Sequence, residues 1–255
     1  MTSVNLSTES IYRGEITVIF HGALTDFFKS KSESCTIQFQ LREKTSLKHI
    51  IEALGVPHPE VGKILVNQQE ADLTFHPLPG DLIHIYPGQL DQQTSTDNCP
   101  KFILDNHLGK LTAYLRLLGI DAGYNPKFED ADIAQIAAEQ GRIVLTRDRG
   151  LLKRKVIQRG YCVRADNPLS QLDEVTRQFQ LASYFKPFTR CPRCNGLLER
   201  VAKEAILQHL LPLTRQYYNE FSRCSQCGQI YWKGSHYDRI KPIIQRFAII
   251  NNEEK

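Results

Sequence analysis

The sequence predicts an α/β protein: a three-layer parallel sheet, preceded by a small α+β domain and closed by a zinc ribbon. Three observations predict it. From residue 100 onward, short apolar runs that read as strands alternate with amphipathic helical segments, the rhythm of a parallel sheet with crossover helices. Before residue 90 the order is two strands, one helix and further strands. Near the end stand two matched cysteine pairs, Cys191-Pro-Arg-Cys194 and Cys224-Ser-Gln-Cys227.

In the first region Ile16–Phe20 is β-branched and aromatic, and Thr36–Leu41 alternates apolar with polar residues, so both read as strands. Leu47–Leu54 has helical spacing behind a Thr45/Ser46 cap and stops at Gly55 and Pro57. Ile64–Val66 and Leu82–Tyr86 are short strands, the second introduced by Pro79-Gly80-Asp81. This order, ending in Leu78-Pro-Gly-Asp-Leu-Ile-His-Ile-Tyr-Pro87, resembles the β-grasp, ubiquitin-like family, and within it the sulfur carriers. Sulfur carriers end in a free Gly-Gly. Here Gly88 is internal and followed by Gln89, which argues against carrier activity and for a docking or RNA-guiding module.

The polar run 89–98 has no periodicity and reads as a linker. The expected domains are 10–90 (β-grasp), 91–99 (linker), 100–185 (parallel sheet) and 186–250 (ribbon). In the third of these, Phe102-Ile-Leu is a strand ending in Asp105, and Leu108, Leu111, Leu115 and Leu118 make one helical face. Asp130–Gln140 is a helix closed by Gly141, Ile143–Leu145 a buried strand, and a further helix starts near 150–152. Tyr161–Arg164 is a third strand and Leu172–Leu181 a last helix, with Asp166-Asn-Pro168 as a turn between them.

Two residues separate the cysteines within each pair, and 29 separate the pairs. Each short loop converges two thiolates, and two loops complete a tetrahedral S4 site for structural zinc. Such a site is closed to substrate, so it explains stability and not chemistry. Two disulfides or a redox pair are the alternatives. Met1–Ser10 has no basic start followed by an apolar run, which predicts a reducing, cytoplasmic setting and argues against disulfides. No stretch approaches the ~20 apolar residues that span a membrane.

Charge is divided unevenly. Residues 1–90 carry 7 basic and 10 acidic side chains, whereas 186–250 carry 11 and 4. A basic segment around a zinc knuckle suits a polyanion, most simply nucleic acid; a solvated basic face is the bland reading. Phe188, Tyr217, Tyr218, Tyr231, Trp232 and Tyr237 interleave with these charges, and an exposed ring among them suits stacking on unpaired bases.

Chemistry is expected where carboxylates follow strands, since ligand crevices of parallel sheets lie beyond the carboxyl ends. Asp105 directly follows one strand and Asp148 lies three residues past another. Asp130 and Asp132 open the next helix, Asp130 as its N-cap and Asp132 as the inward-facing carboxylate. Converging carboxylates need a cation, and hard oxygen ligands suit Mg²⁺ or Mn²⁺, which activate water for phosphodiester hydrolysis. The competing reading makes each aspartate a helix cap. Lys110, Arg116, Arg147 and Arg149 stand nearby as phosphate contacts, or as solvated or ion-paired side chains.

Phe102-Ile-Leu-Asp-Asn-His-Leu-Gly-Lys-Leu-Thr-Ala-Tyr-Leu-Arg-Leu-Leu-Gly-Ile-Asp121 and Gly141-Arg-Ile-Val-Leu-Thr-Arg-Asp-Arg-Gly-Leu-Leu152 resemble the Mut-seven C-terminal RNase domain family over about 100–245. The resemblance implies a PIN-like nuclease fold with a C-terminal zinc ribbon, and bacterial members often carry a ubiquitin-like domain in front. It implies an aspartate ending the first strand, an acidic residue opening the second helix and a Thr-Arg-Asp after the next strand. These fall on Asp105, on Asp132 with Asp130 beside it, and on Asp148. The expected protein is therefore a PIN-like, metal-dependent ribonuclease using Mg²⁺ or Mn²⁺, its RNA gripped by the ribbon. The alternative is a non-catalytic RNA-binding or RNA-processing adaptor. A scaffold role would instead make the β-grasp domain the docking site for a protein partner, and nuclease activity surviving removal of 1–90 would argue against it.

Overall fold

A computed structural model describes residues 10–30, 32–88, 99–234, 237 and 240–247. The expected linker falls on 89–98 and so lies outside the described residues. Contacts gather the chain into two compact units: the first runs to Gln93 and includes Asp148–Cys162, and the second holds Thr94–Arg147 and everything from Val163.

In the first unit β1 (Gly14–His21) buries Ile16, Val18 and Phe20 on one face, the period-2 pattern of a half-buried strand. It pairs antiparallel with β2 (Ser34–Leu41). The helix α1 (Leu47–Ala53) starts where Ser46 accepts the His49 N–H, and it buries Leu47, Ile50 and Ile51. Then come β3 (Val61–Val66), β4 (Gln69–Ala71) and β5 (Leu82–Pro87). The sheet order is β2-β1-β5-β3-β4, with β1 and β5 parallel at its centre. The Pro-Gly-Asp turn before β5 is pinned by Asp81, whose carboxylate accepts the Leu78 N–H and the Asn67 amide. The Gly88 N–H donates to the Glu60 carbonyl at 2.8 Å, so this glycine is tied to the sheet. Three-residue β4 carried no strand signal in the sequence.

The second unit starts with β6 (Phe102–Leu104), all three residues buried as a parallel strand covered on both faces requires. Leu111 and Leu115 are buried along α2 (Gly109–Leu117) and Leu108 and Leu118 at its two ends, as their spacing predicts. β7 (Ala122–Gly123) is followed by α3 (Asp130–Gln140) and β8 (Ile143–Thr146), and β6 runs parallel to both strands.

Asp148–Cys162 holds α4 (Arg149–Leu152) and β9 (Gly160–Cys162), and by its contacts it belongs to the first unit. The Arg149 guanidinium lies 4.8 Å over the Phe27 ring, Lys153 donates to the Glu52 carbonyl at 2.6 Å, and buried Glu60 accepts the Cys162 N–H.

Back in the second unit, α5 (Pro168–Gln178) packs on α2. Its expected start at Leu172 is corrected to Pro168. Asn167 caps it by accepting the Ser170 N–H, and Pro168 takes the first helical position, where its missing N–H costs nothing. The ribbon follows with β10 (Leu198–Val201), α6 (Pro212–Tyr217), β11 (Phe221–Cys224) and β12 (Ile230–Trp232), its three strands antiparallel in chain order. Its own core is Ile206, Leu210 and Phe221, with Val201, Tyr218 and Ile230 packed against it. Among the described residues no helix is long and apolar enough to cross a membrane.

Candidate active site and metal centre

The four cysteines converge. Their sulfurs all lie within 4.8 Å of one another, with Cys191 and Cys227 3.7 Å apart and Cys194 and Cys224 3.4 Å apart. Four sulfurs about 2.3 Å from a tetrahedral zinc sit about 3.8 Å apart, so the donor set fits that ion. The two knuckles share one backbone pattern. The N–H of each first cysteine donates to the carbonyl five residues on (Cys191 to Gly196, Cys224 to Gln229), and the N–H four residues on returns to it (Asn195 to Cys191, Gly228 to Cys224). The residue after each second cysteine is left-handed, Asn195 at φ 74° and Gly228 at φ 71°. Gly196 allows the hairpins to close, since a Cβ there would stand 2.9 Å from the Cys224 sulfur. The Tyr231 hydroxyl lies 3.0 Å from the Cys191 sulfur, and burial, then that contact, raise its pKa so that it stays a neutral donor.

Asn195 explains why asparagine replaces glycine in the first knuckle. Its amide donates to Asp121 at 2.8 Å and its oxygen accepts the Ala122 N–H. Asp121 also pairs with Arg142 at 2.7 Å and Arg190 at 3.4 Å. Burial alone would raise its pKa, but Arg142, Asn195 and Arg190 hold it below the usual carboxylate range. A depressed carboxylate stabilises the fold above its unfolded pKa of about 3.9 and loses that contribution as pH falls through the lower folded value. Asp121→Asn is therefore expected to flatten the acid limb of a stability–pH curve, leaving a smaller difference from wild type below pH 3 than at pH 7.

Arg116 is corrected from a phosphate contact to a structural bolt. Only 3% exposed, it donates to the carbonyls of Ala122, Pro192 and Arg193. Its cation lies against a knuckle whose four thiolates would leave a zinc site at net −2. Removal would strand the buried Ala122 carbonyl and free the half-buried Pro192 and exposed Arg193 carbonyls, so Arg116→Ala is expected to cost about 1–3 kcal/mol in denaturant unfolding.

The second cluster lies past β6. Asp105 is 5% exposed, and its carboxylate accepts the His107 N–H at 2.7 Å and the buried Thr146 hydroxyl at 2.5 Å. From the next residue opens a cavity of about 600 Å³, lined by Asn106, His107, Lys110, Tyr124, Arg147 and Gln171 among others. Tyr124 donates to the Asn106 carbonyl and Arg147 pairs with exposed Asp166 at 2.6 Å. Sequence reading had Thr146 only as the first residue of the Thr-Arg-Asp motif, with no role of its own, and missed Tyr124, which sits in a loop with no local signal.

The remaining candidates take different places. Glu129, not Asp130, is the N-cap of α3, and Asp132 is exposed and accepts the Glu129 N–H at 2.9 Å in a capping box, not facing inward. Asp148 caps α4 by accepting the Gly150 N–H at 2.7 Å. Lys110 and Arg147 are exposed at the cavity, and Arg149 lies over Phe27. Among the described residues, the cysteine quartet is the one group of three or more His, Cys, Asp or Glu ligand atoms this close together. Mg²⁺ needs less, since it keeps several waters and binds through one or two carboxylates with substrate phosphates. Asp105, its oxygens each holding one donor, fits that mode.

Fold and site together define the class: a parallel-sheet α/β domain closed by a four-cysteine cluster suited to a zinc ribbon, behind a ubiquitin-like domain. The profile described as the Mut7-C RNAse domain matches residues 100–244, and the one described as Mut7-C ubiquitin matches 13–93. The chain belongs to the Mut7-C RNase family, a nuclease-type family, with the ubiquitin-like domain in front. No curated protein matches it. Among solved structures, the solution structure of the Haloferax volcanii HVO 2177 protein is 13% identical, covers 31% of this chain and 88% of its own, and has a TM-score of 0.26.

Proposed function

We propose that the protein is a metal-dependent ribonuclease that hydrolyses RNA phosphodiester bonds with a carboxylate-held Mg²⁺ or Mn²⁺. The observation that carries this is Asp105: a buried carboxylate at the carboxyl end of a parallel strand, fixed by Thr146 and His107, beside a cavity edged by Lys110 and Arg147. Asp105 would hold the ion, and Asp148 is the aspartate of the family's Thr-Arg-Asp pattern. Asp132 and Asp130 are the acidic pair that the family's pattern sets at the opening of the second helix. A bound ion activates water and stabilises the leaving oxygen. Lys110 and Arg147 take the substrate's phosphates, Arg149 is a further candidate two residues on from Arg147, and the zinc ribbon grips RNA by charge. The β-grasp domain is the surface for any protein partner, and the setting is cytoplasmic.

One observation favours the rival, an RNA-binding adaptor without catalysis. Asp105, Asp132 and Asp148 all serve as caps or cap partners, which is work enough to account for them. Cleavage of end-labelled RNA by wild type and Asp105→Asn, with and without added Mn²⁺ or Mg²⁺, separates the two. Metal-dependent cleavage lost in the variant supports the enzyme. RNA binding without cleavage by wild type moves the reading to the adaptor.

A further inference from the structure

The ribbon hairpin has two faces with different duties. Across β11 and β12 the pairs are Phe221 with Trp232, Ser222 with Tyr231, and Arg223 with Ile230. Successive side chains alternate. Cys224 and Tyr231 therefore share the sulfur side, where the Tyr231 hydroxyl meets Cys191. Phe221, Arg223, Ile230 and Trp232 share the other. Phe221 and Ile230 spend that face on the small core with Ile206 and Leu210. Trp232, 39% exposed, and Arg223, exposed, remain at its margins.

Between them lies a groove of about 420 Å³ whose lining also includes His209, Leu211 and Gln229. That volume falls within the roughly 300–1,000 Å³ of small-ligand sites. Tyr218 and Phe221, the ring neighbours of the indole, are inclined to it by 49° and 55° with centroids more than 6 Å away, so neither lies flat on it. Gly234 abuts the indole edge, where a Cβ would stand 2.7 Å from Nε1. The Arg223 guanidinium has no hydrogen-bond or ion-pair partner among the described residues. Residues 186–234 carry 8 basic and 3 acidic side chains.

We propose that this groove binds one unpaired nucleotide of single-stranded RNA, with Trp232 as the stacking platform and Arg223 as the contact to its phosphate. An aromatic plane beside a free guanidinium matches a base and its backbone, because every base offers a π-face and the phosphate offers the charge. The other aromatic side chains of the ribbon are spent or misplaced. Tyr231 is held at Cys191, Phe221 is buried, Tyr218 packs on the core, and exposed Tyr217 lies outside the groove lining. The proposal deepens the reading that the partner is RNA and assigns the ring that touches it.

Trp232 is the chain's single tryptophan, so its fluorescence reports on this ring alone. The zinc-loaded full chain is titrated with a single-stranded oligoribonucleotide and with the same sequence as a duplex, without added Mg²⁺ or Mn²⁺. Saturable quenching by the single strand and not by the duplex is expected. Loss of one stack in Trp232→Ala is expected to weaken binding of labelled RNA about 5- to 100-fold, with Trp232→Phe recovering most of it. Arg223→Ala is expected to lower the salt slope by about one phosphate contact. Absence of quenching overturns the proposal, as does Trp232→Ala binding RNA like wild type with its zinc content intact. Quenching by an apolar peptide and not by RNA also overturns it, and assigns the groove to a protein. Quenching without cleavage when Mn²⁺ is added sinks the nuclease reading and leaves this one standing. Cleavage without quenching does the reverse.

Discussion

Asp105→Asn protein is expected to fold, to keep its zinc and to lose at least about 10³-fold in single-turnover RNA cleavage, about 4 kcal/mol of transition-state stabilisation. The substitution changes charge and little else. An asparagine oxygen still accepts the His107 N–H or the Thr146 hydroxyl, so the turn after β6 keeps its main supports. What goes is the negative charge that would hold a divalent ion beside the cavity edged by Lys110 and the Arg147–Asp166 pair. Thr146→Val tests the same point from the other partner. It leaves the charge and removes the donor that orients it, so a smaller loss, on the order of 10-fold, is expected. Wild-type rates from Asp105→Asn would falsify the assignment of this carboxylate to the ion.

Cys194→Ser is expected to take bound zinc from one per chain to near none and to melt the ribbon, as read by metal analysis and by amide exchange over residues 190–232. The effect is large because the ribbon has little else. Among the described residues its apolar core is three buried side chains and three partly buried ones. Structural zinc contributes on the order of 10–16 kcal/mol in small domains. The damage spreads to the sheet, since Arg116 loses its fixed acceptors at Pro192 and Arg193 and Asp121 loses Asn195. Full zinc retention by the serine variant would remove Cys194 from the ligand set.

Much of this was legible in the residues because the signals were local. Phe102–Leu104 and Asp130–Gln140 were bounded by their own apolar periodicity and end residues, and the cysteine quartet by two equal spacings. The readings that changed turned on partners far along the chain or on one position of capping. Arg116 looks like a helix-surface cation until its carbonyl acceptors 76 and 77 residues away are known. Glu129, Asp130 and Asp132 are chemically alike as helix openers, and only backbone geometry settles which one caps. Tyr124 and Thr146 have ordinary neighbours, and their place at the cavity or beside Asp105 comes from tertiary structure alone. Asp148–Cys162 has the longest reach: its ties to Glu52 and Glu60 span 101 and 102 residues.

Those ties bear on how such a protein can be shuffled by recombination. The two family profiles part between residues 93 and 100, which invites a view of two interchangeable cassettes. Yet α4, which belongs to the RNase profile, is held by Phe27, Lys153 just after it by the Glu52 carbonyl, and Cys162 at the end of β9 by the Glu60 side chain. A ubiquitin-like cassette imported from a distant relative would arrive with the wrong residues at those positions. Lineages that keep both parts are therefore expected to inherit Phe27 and Glu60 together with Arg149 as one linked set, not as two independent histories.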